Sequence, residues 1–175
     1  MRINIIGGGS SIRGFDFTTL EGDIMAVNSA YKYVDAKYSV FFDNVDEFKK
    51  NANNPQYLKQ FGGQWENSGS MLNLNPNCVA NVNFSIFFAI NVAIQLGYTE
   101  LHMYGFDNEI TDKVHFYDDD KFATWTVHYR EKIFPRVDRI LEAWKEDLEP
   151  YDLYFYNSAI KHFNNRELCS TTYIY

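Results

Sequence analysis

The chain has few cysteines and no run of basic residues, and each shortage excludes a class of protein. Its 175 residues include only two cysteines, Cys78 and Cys169, which lie far apart and form no C-x-x-C pair. This spacing predicts reduced thiols and not a disulfide framework. Asp and Glu total 23 against 16 Lys and Arg, for a net charge of −7. A surface for duplex nucleic acid, which needs cations to meet phosphates, is therefore not expected.

Long hydrophobic runs are also missing. The longest apolar stretch contains Asn91 and Gln95 and falls short of the roughly 20 apolar residues of a membrane helix. The apolar run at the start of the chain is short and meets Gly7 at once, which does not predict a signal peptide. We therefore expect a cytoplasmic protein with no membrane span.

The size of the chain predicts a single domain over residues 1–175 that needs no disulfide or metal to hold a core together. Aromatic residues are abundant at 18%, with 13 Tyr and 15 Phe. Most should fill the core. Others could form a stacking surface for bases or sugars, or the interface of a homo-oligomer.

Five short apolar segments predict strands buried on both faces of a parallel sheet. They are Arg2–Ile6, Ile24–Asn28, Tyr38–Phe42, Glu100–Tyr104 and Asp152–Tyr156. Helices are predicted at Val45–Asn51, Ser85–Leu96, Phe122–Glu149 (kinked or split by Pro135) and Ala159–Phe163. Residues 51–77 predict an irregular segment, with room for a short strand at Ser70–Leu74. The fold prediction is α/β: a mainly parallel, doubly wound, Rossmann-like sheet of five or six strands with helices on both faces.

Each predicted strand ends in small or polar residues. Ligands of open parallel sheets bind beyond the carboxyl ends of the strands, so these residues predict one shared site. They are Gly7, Gly8, Gly9, Ser10, Ser11, Asn28, Asp43, Gly105, Asp107, Asn157 and Ser158. The glycines and serines after the first strand would expose backbone N–H groups to a phosphate. They lack the GxGxxG spacing and the P-loop lysine, so a tight structural turn is the alternative.

The acidic and histidine candidates each have more than one interpretation. Asp107 could be a metal ligand, a base, or an acceptor for the amides of the glycine loop. His115 could serve acid–base chemistry, because an imidazole titrates near neutrality, or could be a surface residue. Asp118–Asp120 could attract a divalent cation but lacks EF-hand spacing. Asn28 could equally form a turn, and Asp43 could cap a helix. His102, inside a strand, is expected to be structural.

The order of these motifs resembles a group of small α/β proteins. The group contains single-domain bacterial sialyltransferases, related domains of motility-associated glycosylation proteins, and an archaeal hydroxymethylpterin diphosphokinase. Their shared outline appears here as Gly7-Gly-Gly-Ser-Ser11, Val27-Asn28, Phe42-Asp43, Ser85 to Gly97, Gly105-Phe-Asp107 and Tyr156-Asn157-Ser158. His115 lies where the sialyltransferases carry a catalytic histidine.

The resemblance implies a glycosyltransferase that uses a nucleotide sugar as donor and requires no cofactor. Residues 7–11 would hold the phosphate, Asn28 and Asp43 the ribose or base, and Ser85 would add a contact from a helix N-terminus. Asn157 and Ser158 would close the nucleotide site. His115 would be the general base or acid, and Asp107 would position the loop. The acceptor is unknown.

Two other functions stay open from the sequence. A diphosphokinase would need Mg²⁺ to bridge phosphates, with Asp43, Asp107 and Asp118 as candidate ligands. A non-enzymatic nucleotide-binding protein, such as a phage accessory protein, would bind without turnover.

Overall fold

The computed structural model describes residues 1–42, 45–50, 55–59, 65–67, 85–107, 116, 129–160 and 163–166. These residues form one sheet of eight strands. In chain order the strands are β1 (Arg2–Ile6), β2 (Asp23–Val27), β3 (Tyr38–Phe42), β4 (Gln56–Lys59), β5 (Trp65–Asn67), β6 (Glu100–Tyr104), β7 (Asp152–Tyr156) and β8 (Asn164–Arg166).

The strand order is β5-β4-β3-β2-β1-β6-β7-β8. All neighbouring pairs are parallel except β4 and β5. The chain runs outward from β1 to β5 and then returns to the other side of β1 for β6. The strand order therefore reverses between β1 and β6, where the loops that follow these two strands diverge. Such a reversal point is where open α/β sheets bind ligands.

Helices cover both faces of the sheet. Four α-helices are described: α1 (Val45–Lys50), α2 (Ser85–Gln95), α3 (Phe134–Ala143) and α4 (Lys145–Leu148). Short 3-10 helices occupy Ser10–Ile12, Phe17–Thr19 and Asn28–Lys32, and a π-helical turn, Tyr129–Ile133, precedes α3. No helix in the described part of the chain is long and apolar enough to span a membrane.

The two faces of the sheet bury different cores. The face that packs on α2 and α3, here called the α-helical face, holds the larger core, in which Phe87 meets Trp144 with ring centroids 4.7 Å apart. The other face, here called the 3-10 face, packs on the short helices through Ile6, Ile12 and Ala26. Both cores need apolar side chains on alternate strand positions, which explains the nearly continuous apolar strands.

The α/β class, the mainly parallel sheet and the five long strands are confirmed. Strand β2 is shifted by one residue, because Asn28 adopts a left-handed backbone with φ of 51° and leaves the strand. The sheet gains three short edge strands, and two of them, β4 and β5, lie in the segment predicted to be irregular. The strand predicted at residues 70–74 lies outside the described residues.

Within the described residues the helix predictions hold with one exception, and residues 122–128 of the long predicted helix lie outside the described part of the chain. Pro135 lies in the first turn of α3, where its missing N–H is not needed. The long predicted helix is therefore split, and α3 begins next to this proline. Ala159 and Ile160 are not helical, which contradicts the short helix predicted from residue 159. Their segment is instead held by a bond from the Ala159 N–H to the Asp107 carbonyl oxygen at 2.7 Å.

Candidate functional site

The loops after β1 and β6 are bonded to each other at the carboxyl edge of the sheet, the edge at which the parallel strands end. The N–H of Gly7 donates to the Tyr104 carbonyl oxygen at 2.7 Å, and the N–H of Gly9 donates to that of Gly105 at 2.8 Å. Gly105 itself has φ of 68°, a left-handed backbone that favours glycine. This pairing fixes the glycine loop at the point where the strand order reverses.

Asp107 holds the glycine loop in place through hydrogen bonds with Ser11. Its carboxylate accepts the N–H of Ser11 at 2.9 Å and also the Ser11 hydroxyl, and its side chain is 7% exposed. Hydrogen bonds from two donors stabilise the ionised carboxylate in this buried position. Of the three interpretations from sequence, the geometry matches the acceptor for the glycine-loop amides.

The loop has no room for side chains at two of its glycines. A Cβ at Gly9 would lie 2.5–2.6 Å from the carboxyl atoms of Asp107, and one at Gly7 would lie 2.6 Å from the Gly105 carbonyl oxygen. Contacts this short do not occur between real atoms, so glycine at these positions is required by close packing. A bare backbone is the consequence, and it is also what a phosphate can approach.

Two N–H groups of the loop have no partner. Within the described part of the chain, the N–H of Gly8 and that of Ser10 donate to no acceptor, whereas those of Gly7, Gly9 and Ser11 are all bonded. Gly8 is partly exposed and Ser10 is 9% exposed. Neighbouring free amides on a loop that packing holds in place are suited to binding an anion.

Asn28 lies at the same edge, at the end of β2. Its Oδ1 accepts the N–H of Phe42 at 2.9 Å and so ties β2 to the end of β3. The side-chain oxygen therefore has a structural partner. Among the described residues, the side-chain NH₂ of Asn28 donates to no acceptor.

Asn157 and Ser158 follow β7 and close the loop after β6. The Ser158 hydroxyl donates to the Phe106 carbonyl oxygen at 2.6 Å and accepts the N–H of Ile160 at 3.2 Å. Asn157 has φ of 48°, and its N–H donates to the Arg166 carbonyl oxygen at 2.9 Å. In this arrangement Ser158 holds the loop that carries Asp107.

Ser85 reaches the same edge on the α-helical face. Its helix, α2, leads into β6, which runs parallel to β1, so α2 must start at the carboxyl edge. The 11 residues of α2 span about 16 Å, which equals the length of a five-residue strand. The partly exposed Ser85 therefore begins its helix at the edge where the glycine loop lies.

Phe116 brings a third segment to the glycine loop, and the sequence analysis did not single it out. Its N–H donates to the Gly8 carbonyl oxygen at 2.9 Å. Its ring contacts Phe17 at 6.1 Å and Tyr33 at 5.4 Å between centroids. The only signal in the sequence is an aromatic residue within a polar stretch, which also fits many surface residues.

Several sequence-predicted residues lie outside the described residues: Asp43, His115 and Asp118–Asp120. Among the residues that are described, no three His, Cys, Asp or Glu side chains come together in a way that could hold a metal ion. The structure thus brings together residues 7–11, Asn28, Asp107, Asn157 and Ser158, with Ser85 at the same edge.

The opposite, amino edge of the sheet, where the parallel strands begin, is closed by paired charges. Asp23 accepts from the Lys37 ammonium at 2.8 Å and from the Tyr98 hydroxyl. These hydrogen bonds, that from Lys37 first, lower the pKa of Asp23. Burial raises the pKa of Tyr98. Arg2 and Glu100 form a second pair at 2.8 Å.

Comparison with solved structures finds a likeness to the sialyltransferase CST-II. In its complex with a trisaccharide acceptor and CMP, that protein is 14% identical in sequence to this chain and superposes with a TM-score of 0.48. The match covers 89% of this chain and 80% of that chain. A variant of CST-II in complex with CMP is 15% identical over the same shares, with a TM-score of 0.49. No protein-family model and no curated protein matches the sequence. The fold assignment rests on the strand order and register given above.

Proposed function

We propose that this protein is a glycosyltransferase that moves a sugar from a nucleotide donor to an acceptor hydroxyl. The observation that carries the proposal is a pair of N–H groups, on Gly8 and Ser10, that donate to no described acceptor and lie at the point where the strand order reverses. Phosphate oxygens accept such backbone donors, and a nucleotide sugar presents a phosphate next to the bond that breaks. The reaction class comes from the resemblance in motif order.

The roles divide by position along the edge. Gly8 and Ser10 would bind the donor phosphate, while Asp107 keeps the loop in shape through Ser11. The side-chain NH₂ of Asn28 and the hydroxyl of Ser85 would contact ribose or base, together with Asp43. Ser158 would fix the loop after β6, and Asn157 would lie beside it. No cofactor and no metal ion is needed in this proposal.

His115 would accept the proton of the acceptor hydroxyl as the nucleotide phosphate leaves. The position of Phe116, its neighbour in the chain, supports this role, since Phe116 donates to Gly8 at 2.9 Å. General acid–base catalysis of this kind contributes about 10²–10⁴-fold to a rate.

The test is a thermal-shift screen against nucleoside mono-, di- and triphosphates and nucleotide sugars, with EDTA or with Mg²⁺, followed by transfer assays with the donor that binds. A ligand that binds the native state raises its stability by mass action. We expect a shift with a pyrimidine nucleotide or its sugar conjugate in EDTA. His115→Ala should keep that shift and lose about 10²-fold or more of turnover.

Each other outcome points elsewhere. A shift that needs both triphosphate and Mg²⁺ would replace the proposal with a diphosphokinase. Binding without turnover for any sugar donor would indicate a nucleotide-binding protein that is not an enzyme. No shift with any nucleotide would refute the phosphate site itself.

A further inference from the structure

A buried histidine lies in the middle of β6, on the 3-10 face, and the proposed function does not use it. His102 is 4% exposed, and both of its ring nitrogens are bonded. Nδ1 lies 2.7 Å from the Tyr156 hydroxyl, and Nε2 lies 2.8 Å from Oε1 of Glu100. Burial lowers the pKa of His102, so the neutral ring is favoured near neutral pH.

The partners fix where each proton lies. Glu100 is ionised, because hydrogen bonds from His102 and Arg2 lower its pKa. A carboxylate only accepts, so Nε2 of His102 carries the hydrogen and Nδ1 is the bare nitrogen. The Tyr156 hydroxyl must therefore donate to Nδ1. The Arg2 guanidinium completes the chain by donating to Glu100 at 2.8–3.0 Å.

The tyrosines connect this chain to the candidate site. The rings of Tyr104 and Tyr156 stack with centroids 4.3 Å apart at 7°. Each is the last residue of its strand. The carbonyl oxygen of Tyr104 accepts the Gly7 N–H at 2.7 Å, and Asn157 follows Tyr156 directly. A movement of either tyrosine would therefore act directly on the loops of the candidate site, because those loops begin at the next residue.

Protonation of His102 would reverse the hydrogen bond between Nδ1 and the Tyr156 hydroxyl. Nδ1 would become a donor, so the Tyr156 hydroxyl would have to accept from it and its own hydrogen would lose its acceptor. A partly buried donor that loses its acceptor is unfavourable, so Tyr156 must shift, and with it the ring of Tyr104, which is 4% exposed and stacked on Tyr156.

Other charged and titratable groups act on the same ring. Glu100 favours the protonated form, while the positive charges of Arg2 and Arg166 oppose it. The ring of Tyr154 lies 4.9 Å from that of His102, and the Arg166 guanidinium lies 3.9 Å from the Tyr154 ring centroid. The described groups facing His102 are Arg2 on β1, Glu100 and Tyr104 on β6, Tyr154 and Tyr156 on β7, and Arg166 on β8.

We propose that His102 is a positioning residue that makes ligand binding at the carboxyl edge depend on pH, with the neutral ring holding the site in its binding form. The inference rests on the proposed function, because it regulates the same site. It assigns the sensing group to His102 and the transmitting groups to Tyr156 and Tyr104.

The experiment has a ligand-free part and a binding part. In the free protein, NMR titration of the His102 ring should give a midpoint below its ordinary value of about 6.5, and the amide signals of Gly7, Gly105 and Asn157 should move with the same midpoint. With CMP as the probe, affinity at about pH 5 should be at least about fivefold weaker than at about pH 7.5, which is the low end of coupling between sites.

Three variants separate this role from a structural one. Tyr156→Phe keeps the stacked ring and removes the donor, so CMP affinity near pH 7.5 should change little while its pH dependence disappears. In Glu100→Gln the side-chain oxygen still accepts from Nε2, but the negative charge that favours protonated His102 is gone. The midpoint of the His102 titration should therefore move to lower pH. Tyr154→Phe is the matched control, because its ring touches His102 and its hydroxyl is not in the chain. It should leave the midpoint unchanged.

The outcomes distinguish the two proposals. If CMP binds equally well at both pH values, or if the loop amides do not follow the His102 midpoint, the regulation is wrong and the proposed function stands. If neither CMP nor inorganic phosphate binds at any pH, the proposed phosphate site is wrong and the regulation of its binding falls with it, even where the loop amides still follow His102.

Discussion

The two edges of the sheet treat their polar groups in opposite ways. At the amino edge, the charged side chains pair with one another: Asp23 with Lys37 at 2.8 Å, and Arg2 with Glu100 at the same distance. At the carboxyl edge, packing holds a glycine loop in place and two of its N–H groups lack a partner in the described part of the chain. At the amino edge the described charges are paired with one another, whereas the carboxyl edge offers backbone N–H donors to a ligand.

The same strands and the same register produce both edges, so the difference comes from residue types. Long charged side chains at the strand starts can reach across to one another. Glycine and serine at the strand ends cannot, and the described carboxylate that reaches this loop, that of Asp107, accepts from Ser11. Apart from Glu100, which is bonded to His102, substitutions at the amino edge should therefore change stability alone, whereas those at the carboxyl edge should also change ligand affinity.

The largest effect is expected from a methyl group added to the glycine loop. Gly9→Ala would place a Cβ 2.5–2.6 Å from the Asp107 carboxyl atoms, and overpacking of this kind costs about 1–3 kcal/mol. We expect nucleotide affinity to fall about tenfold or more, because the loop must move. Isothermal titration calorimetry and chemical denaturation would measure the two quantities.

The matched control for Gly9→Ala is Gly97→Ala at the amino edge. Gly97 has φ of 86°, and its nearest neighbour, Met1 Cε, would lie 3.6 Å from the new Cβ. The left-handed backbone costs an alanine about 1–2 kcal/mol, so the loss of stability should be similar while affinity is unchanged. Equal affinity in both variants would show that the glycine loop does not bind the nucleotide.

A smaller effect is expected from neutralising Asp107. In Asp107→Asn the amide oxygen can still accept the Ser11 N–H, and the amide NH₂ can donate to the Ser11 hydroxyl, so the loop should keep its shape. In the transfer assay that tests the proposed function, we expect activity within about tenfold of that of the native protein. Phosphate affinity should be at least as strong, because a nearby negative charge is gone. Steady-state kinetics and titration with phosphate would check this.

Asp107→Ala completes the series. It leaves two donors of Ser11 without an acceptor, which costs about 1–3 kcal/mol and should loosen the loop. If Asp107→Asn is as inactive as Asp107→Ala, then the carboxylate takes part in the chemistry and its role is not limited to supporting the loop.

The fold could be predicted because its signal is local and repeated. Five apolar segments of strand length, each ending in small or polar residues, specify a parallel sheet with one ligand edge. Strands β4 and β5 could not be predicted, since they lie in a polar segment rich in Asn and Gly whose pairing is decided by the edge of the finished sheet. Pro135 correctly predicted a break in the long helix, because α3 begins next to it.

The sequence predicted which residues lie at the carboxyl ends of the strands, but it did not predict the contacts that these residues make. Nothing local shows that Asp107 accepts from Ser11, because those residues are 96 positions apart and meet only after β1 and β6 pair. The contact of Phe116 with Gly8 is hidden for the same reason. His102 was expected to be structural from its place in a strand, but its bond to Tyr156 appears only with the register of β6 and β7.

The smallest effect is expected from Asp23→Asn at the amino edge. The pKa of Asp23 is lowered by its hydrogen bonds to Lys37 and Tyr98, so the folded state favours the ionised form. The stability this gives is present above the ordinary pKa of about 3.9 and is lost as the pH falls through the lower pKa of the folded state. Because the side chain is 34% exposed, we expect about 1 kcal/mol or less at neutral pH.

The measurement that checks this compares the pH dependence of the free energy of unfolding in two proteins. The free energies of unfolding of the native protein and of Asp23→Asn should differ at neutral pH and converge only when the pH is below the lowered folded-state pKa of Asp23, because both side chains are then uncharged. Titrations shared by the two proteins, including that of His102, cancel in the difference. Nucleotide affinity should be equal throughout. A loss of affinity in Asp23→Asn would mean that the two edges are coupled through β2, and the division between a stabilising edge and a binding edge would not hold.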